Sequence, residues 1–386
     1  MRITLVIGSL RGGGAERTCV NLANAWAERG FSVNLLTISQ GPGPSAYAVD
    51  PRVKRSDVGK PRIPRAVEMN HDSIAPVVHG LQRSGCLTLI GQIGLIMMLK
   101  YAILKTKPGV VVPVIDMTNV RVLAAMQGTG VPVIACEQTD SSRITLGRWQ
   151  NARRALYRKA HAVVAPHPAI AEWFTRQRIR ACAIHNPLVA PSPLPPRTEK
   201  DGHQRRLITL SRLSHEKRLM LLIRAFANIA ADFPQWDLEI HGDGPLRSYL
   251  TRRISEVAPG RVKLYPFVDA PYDILRGADL FVSTSWVEGY GNAIWEALAC
   301  GVPVVAMDAG ASVRSLVRDG VDGLIVREDR GSKLASALAS LMQDDATREA
   351  MAMRAPEVIQ RFSIESALAK WDALLDEVKG NPNTFA

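Results

Sequence analysis

The second half of the sequence places four charged side chains beside two predicted turns. Glu288 and Glu296 are eight residues apart, one on each side of a turn, so their carboxylates can bind hydroxyl groups at opposite ends of one ligand. Arg212 and Lys217 flank an earlier turn, where two cations and the start of a helix can share a diphosphate. A ligand with hydroxyl groups at both ends and a diphosphate between them has the form of a sugar nucleotide.

The carboxylate pair is positioned by a predicted strand, loop and helix. The apolar run Leu280–Val282 predicts a buried strand, and the loop after it contains Gly289 and Gly291. Asn292 is predicted to be the N-cap of the helix that follows, whose free amides can bind an anion between the two carboxylates. From spacing alone, the pattern is explained equally well if Glu288 is a solvated loop residue and Glu296 an exposed helical residue, neither of which binds a ligand.

The two cations have a similar setting. The run Leu207–Leu210 predicts a strand, and a helix is expected from about Leu219 to Ala230. The turn between them brings both cations to the amino end of that helix, where an anion is stabilised. The alternative is a solvated basic turn without a ligand.

These segments together resemble a known family. The run EGYGNAIWEALACGVPVVA, which begins at Glu288, resembles the Glu-seven-residue-Glu signature of the retaining glycosyltransferases of family 4, which have the GT-B fold. The resemblance implies that Glu288 contacts the donor sugar and Glu296 the ribose. The turn from Ser211 to Lys217 is similar to the family's Gly-Arg-Leu-to-Lys motif, whose Arg and Lys bind the donor diphosphate. Ser211 stands where the family usually has glycine.

Three further segments follow the same pattern. GGGAER, from Gly12 to Arg17, resembles the family's first loop, which lies over the donor phosphates and the acceptor. The turn Gly242–Pro245 matches the family's GxGP, and Phe267 follows a strand whose exit lies against the nucleobase in relatives. The resemblance implies catalytic roles for Glu288, Arg212 and Lys217. It also implies a donor-binding set of Gly13, Gly14, Gly242, Phe267, Gly289, Tyr290, Gly291, Asn292 and Glu296.

Two residues of the first half are expected on the acceptor side. Glu137 follows the predicted strand Val131–Cys136 and matches an acidic position that faces the donor-acceptor cleft in relatives, although an ordinary loop glutamate also explains it. Arg17 is the second. The glycine loop before Arg17 does not form a dinucleotide fingerprint, because position 17 is not glycine and no acid ends the second predicted strand, Val33–Ile38. This counts against a dehydrogenase.

The length predicts two domains, because 386 residues exceed what one hydrophobic core usually supports. Residues 1–186 are predicted to form an acceptor-side Rossmann-like domain, and the proline-rich residues 187–205 a linker. Residues 206–362 are predicted to bind the nucleotide sugar, and a final helix of about residues 363–380 to pack back on the first domain. The expected fold class is α/β, a GT-B arrangement of two Rossmann-like domains that face each other across a cleft.

The cysteines and the first residues indicate the compartment. Five cysteines lie far apart and never in a CxxC pair, which argues for a reducing compartment and against a zinc site. The N-terminal apolar run is too short for the core of a signal peptide. A cytoplasmic protein is expected.

The positive charge is concentrated in the first half. Residues 1–186 hold 24 Lys and Arg against 10 Asp and Glu, whereas residues 187–386 hold 24 against 26. Such an asymmetry fits an anionic partner, such as a membrane surface, a phosphorylated acceptor or nucleic acid, although a merely solubilising surface also explains it. With the family resemblance, a glycan or lipid-linked acceptor and a peripheral contact with an anionic membrane are expected, and nucleic acid is not.

Two segments of the first half have other properties. Residues 40–72 are rich in proline without sustained periodicity and predict a long excursion. The run Leu87–Leu99 is too short to span a bilayer, which needs about 20 residues. It predicts either a core helix, the commoner case, or a helix that dips into a membrane interface beside Lys100, Lys105 and Lys107.

The function expected from the sequence is transfer of a sugar from a nucleotide-diphosphate sugar, UDP in preference to GDP, to a lipid-linked or envelope glycan. No DxD-like motif stands beside the four charged residues, and the GT-B resemblance implies that donor binding is metal-independent, so no cofactor is expected. Three alternatives remain: a glycosidase that uses the paired carboxylates, a GT-B sugar-nucleotide epimerase, and a protein that binds the nucleotide sugar without turnover.

Overall fold

The computed structural model describes residues 1–40, 44–59, 86–192, 194, 204–328 and 330–380. Much of the predicted excursion, residues 41–43 and 60–72, lies outside these residues. So do residue 193 and residues 195–203 of the predicted linker.

The first half is built on parallel strands with helices between them. The strands are β1 (Arg2–Ile7), β2 (Ser32–Thr37), β3 (Lys54–Asp57), β4 (Val110–Pro113), β5 (Ile134–Cys136), β6 (Ala162–Ala165) and β7 (Ala181–Ala183). The helices are α1 (Gly14–Glu28), α2 (Cys86–Lys105), α3 (Asp116–Ala125), α4 (Gln150–Tyr157) and α5 (Pro168–Thr175). The strand order is β3-β2-β1-β4 and β5-β6-β7, and isolated parallel bridges between Val111 and Val133 and between Val114 and Cys136 join the two sets.

The second half repeats the pattern in one parallel sheet. Its strands are β8 (Arg205–Leu210), β9 (Trp236–His241), β10 (Val262–Tyr265), β11 (Leu280–Ser283), β12 (Val304–Met307) and β13 (Gly323–Val326), in the order β10-β9-β8-β11-β12-β13. Its helices are α6 (Leu219–Ala227), α7 (Arg247–Val257), α8 (Pro271–Arg276), α9 (Asn292–Ala299), α10 (Ala311–Leu316), α11 (Gly331–Gln343), α12 (Asp345–Arg354), α13 (Val358–Arg361) and α14 (Ile364–Gly380).

The strand order positions the functional loops. In each half the chain starts in the middle of the sheet, builds outward on one side, and then crosses to the other side, so β1 lies beside β4 and β8 beside β11. Ligands of such sheets bind at the carboxyl ends of the strands, at the point where the order reverses. The loops after β1, β8 and β11 lie at these points. Strands such as β4 are buried along their whole length, as expected when helices cover both faces of a parallel sheet.

The helix α2 has two apolar faces among the residues whose side chains are described. Leu95, Leu99 and Ile103 are buried, in agreement with the prediction of a core helix. The opposite face exposes large apolar side chains at a spacing of three to four residues. These are Ile93, Met97, Tyr101 and Leu104. Across the described part of the chain, no helix has both the length and the hydropathy needed to cross a bilayer.

The last helix, α14, packs against the core of the first half. Its Trp371 is fully buried, and the Trp371 ring meets the Trp26 ring of α1 edge-to-face with 5.4 Å between the centroids. Leu375, one turn further on, is also completely buried in the same core. The C-terminal segment therefore completes the core that the N-terminal residues begin.

Trp371→Ala is predicted to destabilise the protein strongly. Removal of a fully buried indole leaves a cavity beside Trp26, which should lower the free energy of unfolding by about 3–5 kcal/mol. Urea denaturation followed by circular dichroism measures the effect. Asp376→Ala on the exposed face of α14 is the matched control and should change the free energy by less than about 0.5 kcal/mol. Equal denaturation midpoints for Trp371→Ala and the wild type would contradict this account of α14.

Candidate active site

A cleft of about 730 Å³ lies between the carboxyl ends of the two sets of strands. The first half lines it with the β1–α1 loop and the loop after β5. The second half lines it with the loops after β8, β10 and β11 and with the start of α9. Both halves therefore contribute to one binding space.

The two predicted cations both line this cleft. Arg212 is exposed and lies directly after β8, and Lys217 ends the short 3-10 helix His215–Lys217. The Lys217 ammonium donates to Oε1 of Glu288 over 2.6 Å. The turn thus presents one cation to solvent and holds the second against a carboxylate.

Glu288 lies in the loop after β11 and also lines the cleft. Its Oε1 accepts hydrogen bonds from Lys217 and from the Ser285 hydroxyl, both over 2.6 Å. Its side chain retains 16% of its exposure. The structure therefore brings Glu288 and the basic turn together, although they are 71 residues apart in sequence.

The start of α9 differs from the prediction. Asn292 is the first helical residue rather than the N-cap, and the cap position is taken by Gly291, whose φ of 98° lies in the left-handed region that favours glycine. The Asn292 side chain instead joins the halves: its Nδ2 donates to the Gly14 carbonyl over 3.0 Å, and its Oδ1 accepts from Asn186 over 2.8 Å. Because no side chain caps α9, its first amides remain available to an anion.

Glu296 is 5% exposed and is paired with Arg17 from the first half. Arg17 Nη1 donates to Glu296 Oε1 over 2.5 Å, and Arg17 Nη2 donates to the Asp269 carbonyl over 3.0 Å. Burial raises the pKa of Glu296, and the charge and hydrogen bond of Arg17 oppose this rise only in part. Arg17, predicted on the acceptor side, therefore lies against the carboxylate predicted to bind the ribose.

Three glycines let the two halves approach closely. A Cβ on Gly289 would lie 2.1 Å from the Gln138 carbonyl oxygen, and a Cβ on Gly14 would lie 3.0 Å from the Asn292 amide nitrogen. A Cβ on Gly13 would lie 3.5 Å from Nη2 of Arg212 in the opposite half and 2.5 Å from a Glu16 carboxylate oxygen in its own half. The glycine loops therefore permit backbone contact across the cleft.

The remaining predicted donor residues have different positions. Phe267 is exposed, lines the cleft and contacts Gly12 of the opposite half. Tyr290 is buried, also lines the cleft, and stacks on His185. Gly242 does not line the cleft: a Cβ there would lie 1.8 Å from the Ser211 carbonyl oxygen, so this glycine shapes the basic turn from behind.

The expectation that Glu137 faces the cleft is wrong. Glu137 is completely buried beneath it, where it accepts hydrogen bonds from Tyr157, from Asn119 over 3.3 Å and from Ser141 over 3.0 Å. Burial raises its pKa. Packing of α3 and α4 behind β5 draws the side chain inward, and the next three residues, 138–140, line the cleft instead.

Sequence reasoning missed several residues that line the cleft, among them Glu16, Tyr47, Asp140, Asn186 and His241. Burial raises the pKa of Glu16, and the nearby Arg212 charge acts in the opposite direction. Glu16 lies inside the GGGAER motif, which was a usable signal. The other positions depend on packing between distant segments, and their local sequence carries no such signal.

Within the described residues, no group of three or more His, Cys, Asp and Glu side chains is arranged to hold a metal ion. The cysteines whose side chains are described, Cys19, Cys136, Cys182 and Cys300, are free thiols.

Comparison with known families assigns both halves. Residues 12–189 match the model of the Glycosyltransferase Family 4 domain, and residues 204–344 match that of the Glycosyl transferases group 1 domain. The fold and the cleft define a glycosyltransferase of the GT-B type. The chain belongs to the group 1 glycosyltransferases of family 4.

Two relatives show different extents of similarity. A poly(glycerol-phosphate) alpha-glucosyltransferase of Bacillus subtilis is 30% identical over 172 residues, which are 44% of this chain and only 26% of that protein. The second, from Campylobacter jejuni, is 23% identical over 98% of this chain and 99% of its own length. It is named GalNAc-alpha-(1->4)-GalNAc-alpha-(1->3)-diNAcBac-PP-undecaprenol alpha-1,4-N-acetyl-D-galactosaminyltransferase.

The solved structure of HepE from Anabaena, in complex with UDP and glucose, has the same fold. The likeness covers 97% of this chain and 99% of HepE, with a TM-score of 0.75 and 20% sequence identity. Together with the strand orders, it establishes two Rossmann-like domains that face each other across a cleft.

Gly289→Ala is predicted to destabilise the closed cleft. The added methyl group would overlap the backbone at Gln138, which cannot move as freely as a side chain, so the free energy of unfolding should fall by about 1–3 kcal/mol. Differential scanning calorimetry measures the change.

The matched control for this change is Gly94→Ala in α2, where no atom lies within 4 Å of the added Cβ. It should be neutral or stabilise the protein by up to about 1 kcal/mol. Equal melting temperatures for Gly289→Ala and Gly94→Ala would show that the backbones do not touch at Gln138.

Proposed function

We propose that the protein transfers a sugar from a UDP-sugar to a lipid-linked or other envelope glycan, with retention of anomeric configuration and without a metal ion. The observation that carries the proposal is the convergence of Arg212, Lys217, Glu288 and the uncapped start of α9 on one cleft.

The cations fit the leaving group. When the bond between the sugar and the diphosphate breaks, negative charge increases on the departing phosphate oxygens. Preorganised donors and cations stabilise such charge, and this is usually the largest contribution to catalysis. Arg212, Lys217 and the first amides of α9 are the groups placed to do so.

Glu288 is the counter-ion of Lys217. On donor binding, Lys217 can exchange the Glu288 carboxylate for a phosphate oxygen, and this releases Glu288 to accept hydrogen bonds from the sugar hydroxyls. Glu288 then holds the sugar in position for transfer. It acts by positioning, and no residue is assigned as a general base.

The relatives support the donor and acceptor classes. HepE was solved with UDP, and the Campylobacter jejuni relative is named for an undecaprenol-linked glycan. The Bacillus subtilis relative is named for a poly(glycerol-phosphate) acceptor. HepE supports a uridine donor, the two other relatives support a lipid-linked or polyol-phosphate acceptor, and family 4 membership supports the retaining outcome.

Nucleotide titration tests the diphosphate site. UDP should bind the wild type in the presence of EDTA, and Arg212→Ala/Lys217→Ala should weaken binding by at least about 100-fold, since each hydrogen bond to a charged group contributes about 1.5–3 kcal/mol. Isothermal titration calorimetry with UDP and GDP measures both affinities.

A matched control removes two cations elsewhere. Lys54→Ala/Arg55→Ala, on the exposed strand β3 outside the cleft, should leave the affinity for UDP unchanged. An absolute requirement for a divalent ion would refute metal-independent binding. Failure of the wild type to bind either nucleotide would refute the donor site itself.

We further propose that the exposed face of α2 rests on an anionic membrane. Met97 is 67% exposed and Tyr101 72% exposed, one turn apart on that face. The exposed Lys105 and Lys107 follow at the end of the helix. An apolar face bordered by cations suits an interface with anionic headgroups, and it lies in the half that carries the excess positive charge.

Vesicle flotation tests this contact. The wild type should float with vesicles that contain phosphatidylglycerol at low salt and dissociate at high salt, because the attraction is partly electrostatic. Met97→Glu/Tyr101→Glu should abolish flotation, whereas Met353→Glu, at a 76% exposed position of α12, should not. Absence of flotation at low salt, or a dimer that only Met97→Glu/Tyr101→Glu disrupts, would overturn the membrane assignment.

A further inference from the structure

His241 is the last residue of β9 and lines the cleft, although only 6% of it is exposed. Its ring stacks on the Tyr265 ring of β10, with 4.7 Å between the centroids and 15° between the planes. The stacking fixes the plane of the imidazole.

One ring nitrogen of His241 has a fixed partner. Nε2 lies 3.1 Å from Oε2 of Glu239, and Arg206 donates to both Glu239 oxygens over 2.9 and 2.7 Å. Burial alone would raise the pKa of Glu239, but the hydrogen bonds from His241 and Arg206 lower it to about 2. The carboxylate can therefore only accept, so Nε2 carries a hydrogen, and in the neutral form of an imidazole the other nitrogen, here Nδ1, is the acceptor.

The other nitrogen, Nδ1, is buried and has no hydrogen-bond partner. The hydroxyl of Ser211, on the neighbouring strand end, is also buried and unpartnered, and the Ser211 amide donates to the His241 carbonyl over 3.0 Å. A buried acceptor without a hydrogen-bond partner destabilises a protein by about 1–3 kcal/mol. Binding of a ligand that donates a hydrogen bond to His241 Nδ1 is therefore favoured.

The sheet order indicates which part of a nucleotide reaches this point. His241 stands on β9, between β8, which leads into Arg212, and β10, which leads into Phe267. Neighbouring strands are about 4.8 Å apart, so a nucleotide with its diphosphate at the β8 turn extends across β9 toward β10. Phe267 and Val268, which follow β10, line the same cleft and give this end an apolar wall that suits a planar base.

We propose that His241 Nδ1 accepts a hydrogen bond from the ring N–H of the donor's base and thereby selects uracil over cytosine. Uracil carries a hydrogen on N3, whereas N3 of cytosine is itself an acceptor and would face the Nδ1 lone pair. This inference rests on the proposed donor function. His241 would then determine specificity for the base through Nδ1, because Nε2 is already bonded to Glu239.

Calorimetric titration of UDP, CDP and N3-methyl-UDP into three proteins tests the inference. His241→Gln places an amide nitrogen at the ε position, which retains the Glu239 contact but removes the acceptor at the δ position. His241→Asn retains a polar atom at the δ position and loses the Glu239 contact. The wild type should bind UDP about tenfold more tightly than CDP or N3-methyl-UDP, as expected for one hydrogen bond and one avoided repulsion.

His241→Gln should lose this preference and bind the three nucleotides with similar affinity, whereas His241→Asn should retain part of it. If His241→Gln keeps the full preference of the wild type for UDP, the inference is overturned while the donor function stands. If UDP fails to bind the wild type, the proposed function fails together with the inference. Thermal unfolding of each variant verifies that it is folded, and His241→Asn provides the second comparison if His241→Gln is not.

Discussion

The buried ion pair between Arg17 and Glu296 is the interaction on which the closed form of the cleft depends. Each partner comes from a different half of the chain, and neither can be left alone in a buried place without a large cost. Removal of one partner from a buried pair typically costs about 3–5 kcal/mol. The two halves are therefore held together by this buried ion pair as well as by the backbone contacts at the glycine loops.

Each of the two predicted carboxylates in the cleft has its own cationic partner. Arg17 is paired with Glu296 and Lys217 with Glu288, whereas Arg212 stays exposed. In the proposed function, the diphosphate would bind beside the exposed Arg212 and the uncapped first amides of α9. The sugar would extend from the diphosphate toward Glu288 and the nucleoside toward the ends of β9 and β10.

Local patterns in the sequence were sufficient for the parts of the site that one strand-turn-helix unit defines. The apolar run before Ser283, the glycines around Tyr290 and the cations after β8 were all predicted, because adjacent residues determine them. Glu137 was placed incorrectly because its partner Tyr157 is 20 residues away. Asn292 lines the cleft, but its hydrogen bond to Gly14, 278 residues away, was not predicted. Burial that is created by packing between distant segments leaves no periodic signal near the residue itself. The unpaired Nδ1 of His241 could not be predicted either, because it depends on the bond of Nε2 to Glu239 and on packing against a neighbouring strand.

Because α14 belongs to the core of the first half, that core cannot be completed until α14 has been synthesised. β1 and β2 are synthesised long before α14, so the core around Trp26 lacks Trp371 and Leu375 until α14 has been translated. Domains generally fold as units during synthesis, with the N-terminal one first. Here the second half, which needs no residue from α14 in its core, has all its strands before the first half has its last helix. The nascent chain therefore carries an unfinished first core while the strands of the second half are synthesised, and the two cores are completed in the reverse of their order in the sequence.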